Sequence, residues 1–157
     1  MSVFVRSFSI CFLLIAAIAL QTPAVAQDAA RPNVLKLVGT AMNVSIGVKA
    51  GVEIEIGSFS DKVLTANGAF DGTNLVGRFQ TVGRELPCSD GNWCFQFQGA
   101  LLGLEAGGFP KGTSATFMLT LTVPKDGSAA TGVYSLGPVP SVDYAQVGTV
   151  SVKLAGR

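Results

Sequence analysis

The sequence predicts an all-β protein: a single antiparallel domain of about eight strands, forming an up-and-down β-barrel or a two-sheet sandwich. Beyond residue 33, apolar residues alternate with polar ones at a period of two along most of the chain. The alternating runs are short and end at glycine, proline, asparagine or aspartate, which favour turns. Only residues 100–106 offer a short helix instead, and Gly103 argues against it.

The N-terminus predicts a cleaved secretory signal peptide over residues 1–26. Arg6 supplies the positive charge, residues 8–20 are an apolar run, and Ala24-Val25-Ala26 is a cleavage site of small residues. The run holds about 13 residues, whereas a membrane-spanning helix needs roughly 20. We therefore expect a periplasmic or secreted protein without an integral membrane span in its mature form. Residues 27–33 form a polar leader, and the β domain occupies residues 34–157.

The alternation of residues 44–56 predicts two strands separated by a turn. Apolar and polar residues alternate at 44–48 and again at 52–56, and Lys49-Ala50-Gly51 between them predicts a tight turn. Glu53 and Glu55 share one face of the second run, about 6.5–7 Å apart, a spacing that glycosidase carboxylates also use. Because the alternating valine and isoleucines are the better core set, we expect both glutamates to face solvent.

The next strands lead to a central hairpin over residues 84–104. A weaker strand at 62–66, extending towards residue 70, precedes an Asp71-Gly72 turn, after which the chain continues from 73 to 82 as a strand. Cys88 and Cys94 are the two cysteines left once the signal peptide, residues 1–26, is removed. An even cysteine count in an exported protein predicts a disulfide between them.

The disulfide suggests a register for this hairpin. If Cys88 directly opposes Cys94, Gly83 falls opposite Gly99, and polar and apolar side chains separate onto two faces. The apolar face then carries Leu75, Phe79, Phe95, Phe97 and Leu101. The polar face carries Arg78, Gln80, Arg84, Gln96 and Gln98.

A second hairpin follows, and a last strand spans 145–154. Residues 115–123 alternate, and the Pro124-Lys125-Asp126-Gly127 turn predicts that Phe117 lies opposite Tyr134. Hairpins between nearest neighbours favour a meander and hence an up-and-down barrel. An outer-membrane barrel is an alternative, but it requires residues such as Thr116, Thr120 and Ser151 to fill a lumen.

The composition argues against most catalytic and cofactor chemistry. The chain has no histidine, so it lacks a Ser-His or Cys-His pair and an imidazole ligand. Two cysteines are too few soft ligands for zinc, and the glycine-rich segment 107–113 lacks the spacing of a phosphate-binding loop. Once Arg6 is removed, basic and acidic residues are equal in number, and no basic patch suggests nucleic acid as a partner. We expect no enzyme, no metal and no cofactor.

Several residues are candidate ligand or partner contacts. The polar stripe of Arg78, Gln80, Arg84, Gln96 and Gln98 would bind a carboxylate or a sugar if it pointed into a barrel, and would be ordinary surface if it pointed outward. Arg78, Arg84, Gln96 and Gln98 are its candidate contacts. Trp93 either packs over the disulfide or forms an exposed anchor on a rigid loop. Phe109 lies in the glycine-rich segment, which is either a plain connection or a mobile loop at a barrel mouth.

These residues support two functional hypotheses of different class. The first is a non-catalytic exported protein that binds a small apolar or amphipathic molecule in a cavity lined by Phe79, Phe95, Phe97 and Phe117. The second is an envelope protein–protein interaction module or inhibitor that uses the disulfide-closed loop, with an exposed Trp93 or Phe109. The first strand lacks the tryptophan of lipocalin-type barrels, so the chain is lipocalin-like by architecture only.

Overall fold

Eight antiparallel strands close into a barrel in the computed structural model, which describes residues 31–103, 111–138 and 145–156. The strands are β1 (Val34–Asn43), β2 (Val48–Ser58), β3 (Leu64–Asp71), β4 (Gly77–Leu86), β5 (Asn92–Gly103), β6 (Ser114–Pro124), β7 (Ala130–Leu136) and β8 (Gln146–Leu154). Each strand pairs with the next along the chain, and β8 pairs with β1. The predicted up-and-down barrel is confirmed, and the sandwich alternative is wrong. No helix among the described residues is long and apolar enough to cross a membrane.

The alternation along each strand places apolar side chains inside the barrel and polar ones outside. β6 shows this most clearly, because buried and exposed residues alternate from Ser114 to Val123. Thr116, Thr120 and Ser151, which would fill the lumen of an outer-membrane barrel, are exposed on the outer surface. The predicted apolar face of the central hairpin is buried as expected: Leu75, Phe79, Phe95, Phe97 and Leu101.

Aromatic rings occupy the interior because glycines on neighbouring strands leave them room. Four rings each lie directly across from a glycine, in the pairs Gly68–Phe79, Gly83–Phe97, Gly99–Phe117 and Gly148–Tyr134. The ring centroids of Phe79 and Phe117 are 4.6 Å apart, and those of Phe70 and Phe79 are 5.5 Å apart. An eight-stranded barrel is just wide enough for side chains to fill it, and here these rings supply much of that filling.

Both predicted hairpin registers are wrong by two residues, although both predicted faces are right. In the β4–β5 ladder, Leu86 lies opposite Cys94 and Gly83 lies opposite Phe97. Cys88 follows the end of β4, so the disulfide joins a loop to a strand instead of two directly opposed residues. A shift of two preserves the faces because the side-chain period is also two.

The second hairpin shows the same shift. Phe117 lies opposite Leu136, and Tyr134 lies opposite Leu119, because the connection between the strands runs to Ala129 instead of ending at Gly127. Gly127 does take the left-handed conformation that the turn requires, with φ of 82°. Asp126 Oδ1 accepts a hydrogen bond of 2.8 Å from the backbone N–H of Ser128, which lowers the pKa of the Asp126 carboxyl.

The first turn also differs from the prediction. Residues 44–47 form it, with Gly47 in the left-handed region at φ of 70°, whereas residues 49–51 continue β2. Asn43 Oδ1 accepts a hydrogen bond of 3.1 Å from the Ser45 N–H, which favours a turn immediately after β1. The short helix that Gly103 argued against does not form over residues 100–103, which extend β5; residues 104–106 lie outside the described part of the chain.

Candidate binding site on the outer face

Three of the predicted contacts meet in one groove on the outside of the barrel. This outer groove, as we call it, crosses β4, β5 and β6 and has a volume of about 460 Å³. Its lining residues are Lys62, Val63, Val82, Gly83, Arg84, Gln96, Phe97, Gln98 and Met118. The polar stripe therefore points outward, and Arg84, Gln96 and Gln98 lie together.

The strand registers place the polar and apolar side chains of the outer groove in adjacent rows. Arg84 lies directly opposite Gln96 in the β4–β5 ladder. One row along, Val82 lies opposite Gln98, which lies opposite Met118 on β6. Residues two apart on a strand are about 6.5–7 Å apart, so one bound molecule would contact both rows at once.

The β2–β3 loop closes one side of the outer groove. The Phe59 N–H donates a 2.9 Å hydrogen bond to the carbonyl oxygen of Val63, which folds residues 59–63 into a tight connection. Leu64, the first residue of β3, pairs with Gly83 of β4. This pairing carries the preceding Lys62 and Val63 to the edge of the outer groove.

The outer groove is positively charged and partly apolar. Lys62 and Arg84 are both exposed, neither forms an ion pair with a residue that the structure describes, and none of the described lining residues is acidic. The nearby Glu85 is engaged elsewhere, since its Oε2 lies 3.5 Å from Nε of Arg31. Val82 and Met118 expose 59% and 40% of their surface and lie in one row, separated only by Gln98, so together they form the apolar part of the groove.

Arg78, the fourth candidate contact of the predicted stripe, lies in a different groove, together with Gln80. It points outward from β4 opposite Leu102 and lines a depression of about 540 Å³ across β1–β4. That depression also contains a 3.3 Å ion pair between Lys36 and Glu55, and Glu53 lies beside it. Its cations and carboxylates are equal in number, so its charge selects no class of ligand. Both glutamates are exposed, in agreement with the expectation of a solvated face.

The remaining predicted contacts do not join the outer groove. Cys88 and Cys94 form the disulfide, with their Cα atoms 6.0 Å apart. Trp93 is only 6% exposed and belongs to the interior core, whereas the next residue, Cys94, projects to the other face of β5. Neither of the two roles considered for Trp93, an exposed anchor or a cover over the disulfide, matches this position. Phe109 lies outside the described residues.

Four of the exposed lining residues were not predicted as contacts: Lys62, Val63, Val82 and Met118. Lys62 and Val63 were assigned to a strand, although they belong to the loop before β3. Met118 offered the clearest signal, because it is an unbranched apolar residue on the threonine-rich face of β6. A single exposed apolar residue is ordinary, and Met118 becomes informative only beside Val82, from which Gln98 alone separates it.

Among the residues that the structure describes, few polar side chains lie inside the barrel. Asn43 Nδ2 donates a hydrogen bond to Gln146 Oε1 where β1 and β8 meet, and Thr81 Oγ1 donates one of 2.7 Å to the carbonyl oxygen of Ala66. The Tyr134 hydroxyl has no partner among the described residues, and burial raises the pKa of this phenol well above its ordinary value. Within the described part of the chain, no group of three or more histidine, cysteine, aspartate or glutamate residues is placed to hold a metal ion.

Comparison with known proteins gave no match: no protein-family model, no curated protein and no solved structure matches the chain.

Proposed function

We propose that this chain is an exported, non-catalytic binding protein that holds a small amphipathic molecule on the outer face of its barrel. Residues 1–26 have the composition of a secretory leader, and the Cys88–Cys94 disulfide suits an oxidising compartment outside the cytoplasm. The observation that carries the proposal is the outer groove, where Arg84, Gln96 and Gln98 lie beside exposed apolar side chains.

The packing of the core favours this outer site over a site inside the barrel. Phe79 and Phe117 pack against each other with centroids 4.6 Å apart, and Phe95 and Phe97 stack at 6.0 Å. A ligand among these four rings would have to separate side chains that already contact one another. The outer groove needs no such rearrangement, and its volume lies within the roughly 300–1,000 Å³ of small-molecule sites.

Native mass spectrometry tests this proposal. The full chain, with residues 1–26, is expressed in a bacterial host and recovered from the periplasm by osmotic shock without detergent. We expect a mature protein that begins at Gln27 and carries a retained small molecule. Val82→Asp places a charge in the outer groove and should abolish the retained mass.

Val133→Asp is the matched control. Val133 also points outward from a central position of its strand and is 51% exposed, but it does not line the outer groove. Retention in Val133→Asp and loss in Val82→Asp would support the outer site. Equal retention in both variants would contradict it, and an uncleaved cytoplasmic protein would contradict export.

A protein partner is the second candidate, favoured by one observation. Phe59 exposes 77% of its surface in the loop that borders the outer groove, and exposed aromatic residues are frequent anchors of protein interfaces. In this case Phe59→Ser should prevent binding of the partner, whereas a small molecule confined to the groove should remain bound. The native mass spectrum of Phe59→Ser therefore distinguishes the two candidates.

A further inference from the structure

We infer that the ligand of the outer groove is an anionic amphipathic molecule, whose headgroup is bound by Arg84 and Lys62 and whose alkyl part lies over Val82 and Met118. This inference rests on the proposed function and adds the chemical class of the ligand. It would include molecules such as fatty carboxylates, in which one charged group ends an apolar chain.

The charges of the outer groove select an anion. Its two charged lining residues are both cations, and neither is neutralised by a carboxylate of the described chain. Asp61 lies next to Lys62 in the loop but does not line the groove. Gln96 lies directly opposite Arg84, so its carboxamide N–H groups and the guanidinium are placed to donate to the same oxyanion.

The apolar part of the outer groove indicates a chain attached to that anion. Val82 and Met118 are separated only by Gln98, and Val63 adds a third partly exposed apolar side chain. An inorganic anion would leave these side chains in water, whereas an alkyl chain would cover them. The area covered is then removed from water, which contributes to affinity in proportion to its size.

The depression that contains Arg78 provides an internal comparison. Arg78 and Arg84 lie on the same face of β4, but the surroundings of Arg78 include Glu53 and the Lys36–Glu55 ion pair. Replacing either arginine with glutamate changes the net charge of the protein equally. A difference between the two variants therefore reports on the outer groove and not on the overall charge.

The test is a titration of the ¹⁵N-labelled mature protein with decanoate and, separately, with decyltrimethylammonium, each below its micelle concentration. Decanoate should shift the amide signals of Val82, Gln98 and Met118, and the cation with the same tail should not. Arg84→Glu should weaken decanoate binding about tenfold, and Arg78→Glu less than about twofold. Added salt should weaken binding to the wild type, since the charges are exposed.

Each contrary outcome has a distinct meaning. Equal binding of the two amphiphiles at the outer groove, or equal effects of Arg78→Glu and Arg84→Glu, would overturn the anionic assignment and leave the proposed function standing. A second outcome is that neither amphiphile binds while native mass spectrometry still shows a small molecule on the wild type that Val82→Asp removes. In that case the inference fails and the proposed function survives. If no such molecule is retained either, both fail. Arg84→Gln replaces Arg84→Glu if the latter does not fold.

Discussion

The ring of Phe79 occupies the space into which any side chain at position 68 would project. A Cβ atom on Gly68 would lie 2.4 Å from Cζ of Phe79 and 2.2 Å from the backbone oxygen of Glu53. The same relationship holds for Gly148, where a Cβ atom would lie 2.2 Å from Cζ of Tyr134. Glycine and aromatic residues on neighbouring strands are thus complementary in size, and this complementarity fills the barrel.

The Gly68–Phe79 contact predicts that Gly68→Ala destabilises the protein by about 2–3 kcal/mol, because the added methyl group must displace a buried ring and a strand backbone. Urea unfolding at equilibrium measures the change. Gly51→Ala is the control: its Cβ would find only the backbone oxygen of Asp71, at 3.4 Å, and we expect a change below about 0.5 kcal/mol. Equal losses of stability in Gly68→Ala and Gly51→Ala would show that the packing of the Phe79 ring does not require glycine at position 68.

The disulfide predicts a moderate loss of stability on reduction. Cys88 and Cys94 are 6 residues apart in sequence, and closing so short a loop stabilises the folded state by about 2 kcal/mol through the entropy of the unfolded chain. Cys88→Ser combined with Cys94→Ser should lower the free energy of unfolding by that amount while the β-sheet circular dichroism spectrum is retained. A reductant should destabilise the wild type and leave the double variant unchanged; if it affects both equally, the loss has another origin.

The buried hydroxyl of Tyr134 predicts a dependence of stability on alkaline pH. Burial raises the folded-state pKa of Tyr134, whereas the unfolded phenol ionises near pH 10. Its contribution to stability is therefore fully present below about pH 10 and is lost as the pH rises from there towards the folded-state pKa. Tyr134→Phe should remove this part of the pH dependence, measured by urea unfolding between pH 9 and 11. The two proteins differ only at position 134, so the comparison isolates the contribution of this hydroxyl.

The same substitution tests whether the Tyr134 hydroxyl has a partner. Since it has none among the described residues, Tyr134→Phe should leave stability at pH 7 unchanged or raise it by up to about 1 kcal/mol. A loss of more than about 1 kcal/mol at this pH would show that the hydroxyl is hydrogen-bonded in solution, for example to a buried water molecule.

Trp93 predicts a fluorescence signature as well as a stability effect. It is the single tryptophan of the chain and is buried, so its emission should be blue-shifted and resistant to acrylamide in the folded protein, and should shift to the red on unfolding. Trp93→Ala should cost about 3–5 kcal/mol. Phe59→Ala, at an exposed position, should cost less than about 0.5 kcal/mol. Efficient quenching of the native emission would place Trp93 at the surface instead.

The turns and registers show where prediction from sequence stops. Val44 and Ile46 alternate with polar residues as a strand would, yet they lie in a turn, because Gly47 reverses the chain in the left-handed region. The disulfide suggested that its two cysteines directly oppose each other, but a disulfide also tolerates a loop-to-strand connection, and Cys88 uses one. Local patterns are compatible with more than one turn length, and a change of two residues leaves every face as it was.

The candidate site was predictable only in part for a related reason. Arg84, Gln96 and Gln98 lie on the two strands of one hairpin, where alternation at a period of two predicts that they share a face. Lys62 reaches them through the pairing of β3 with β4, and Met118 through the pairing of β5 with β6. Such neighbours come from separate runs of sequence, and their positions depend on registers that local patterning does not specify.

By itself, the sequence determined which side chains of each strand lie on the same face, since successive residues of a strand point to opposite sides. Only the tertiary structure decided that the Arg–Gln stripe lies outside and that rings fill the centre. Closure of eight strands creates one narrow interior, and Gly68, Gly83 and Gly148 give the rings of Phe79, Phe97 and Tyr134 the room to occupy it. The polar faces are then left on the outer surface, where Arg84 and its neighbours form the outer groove.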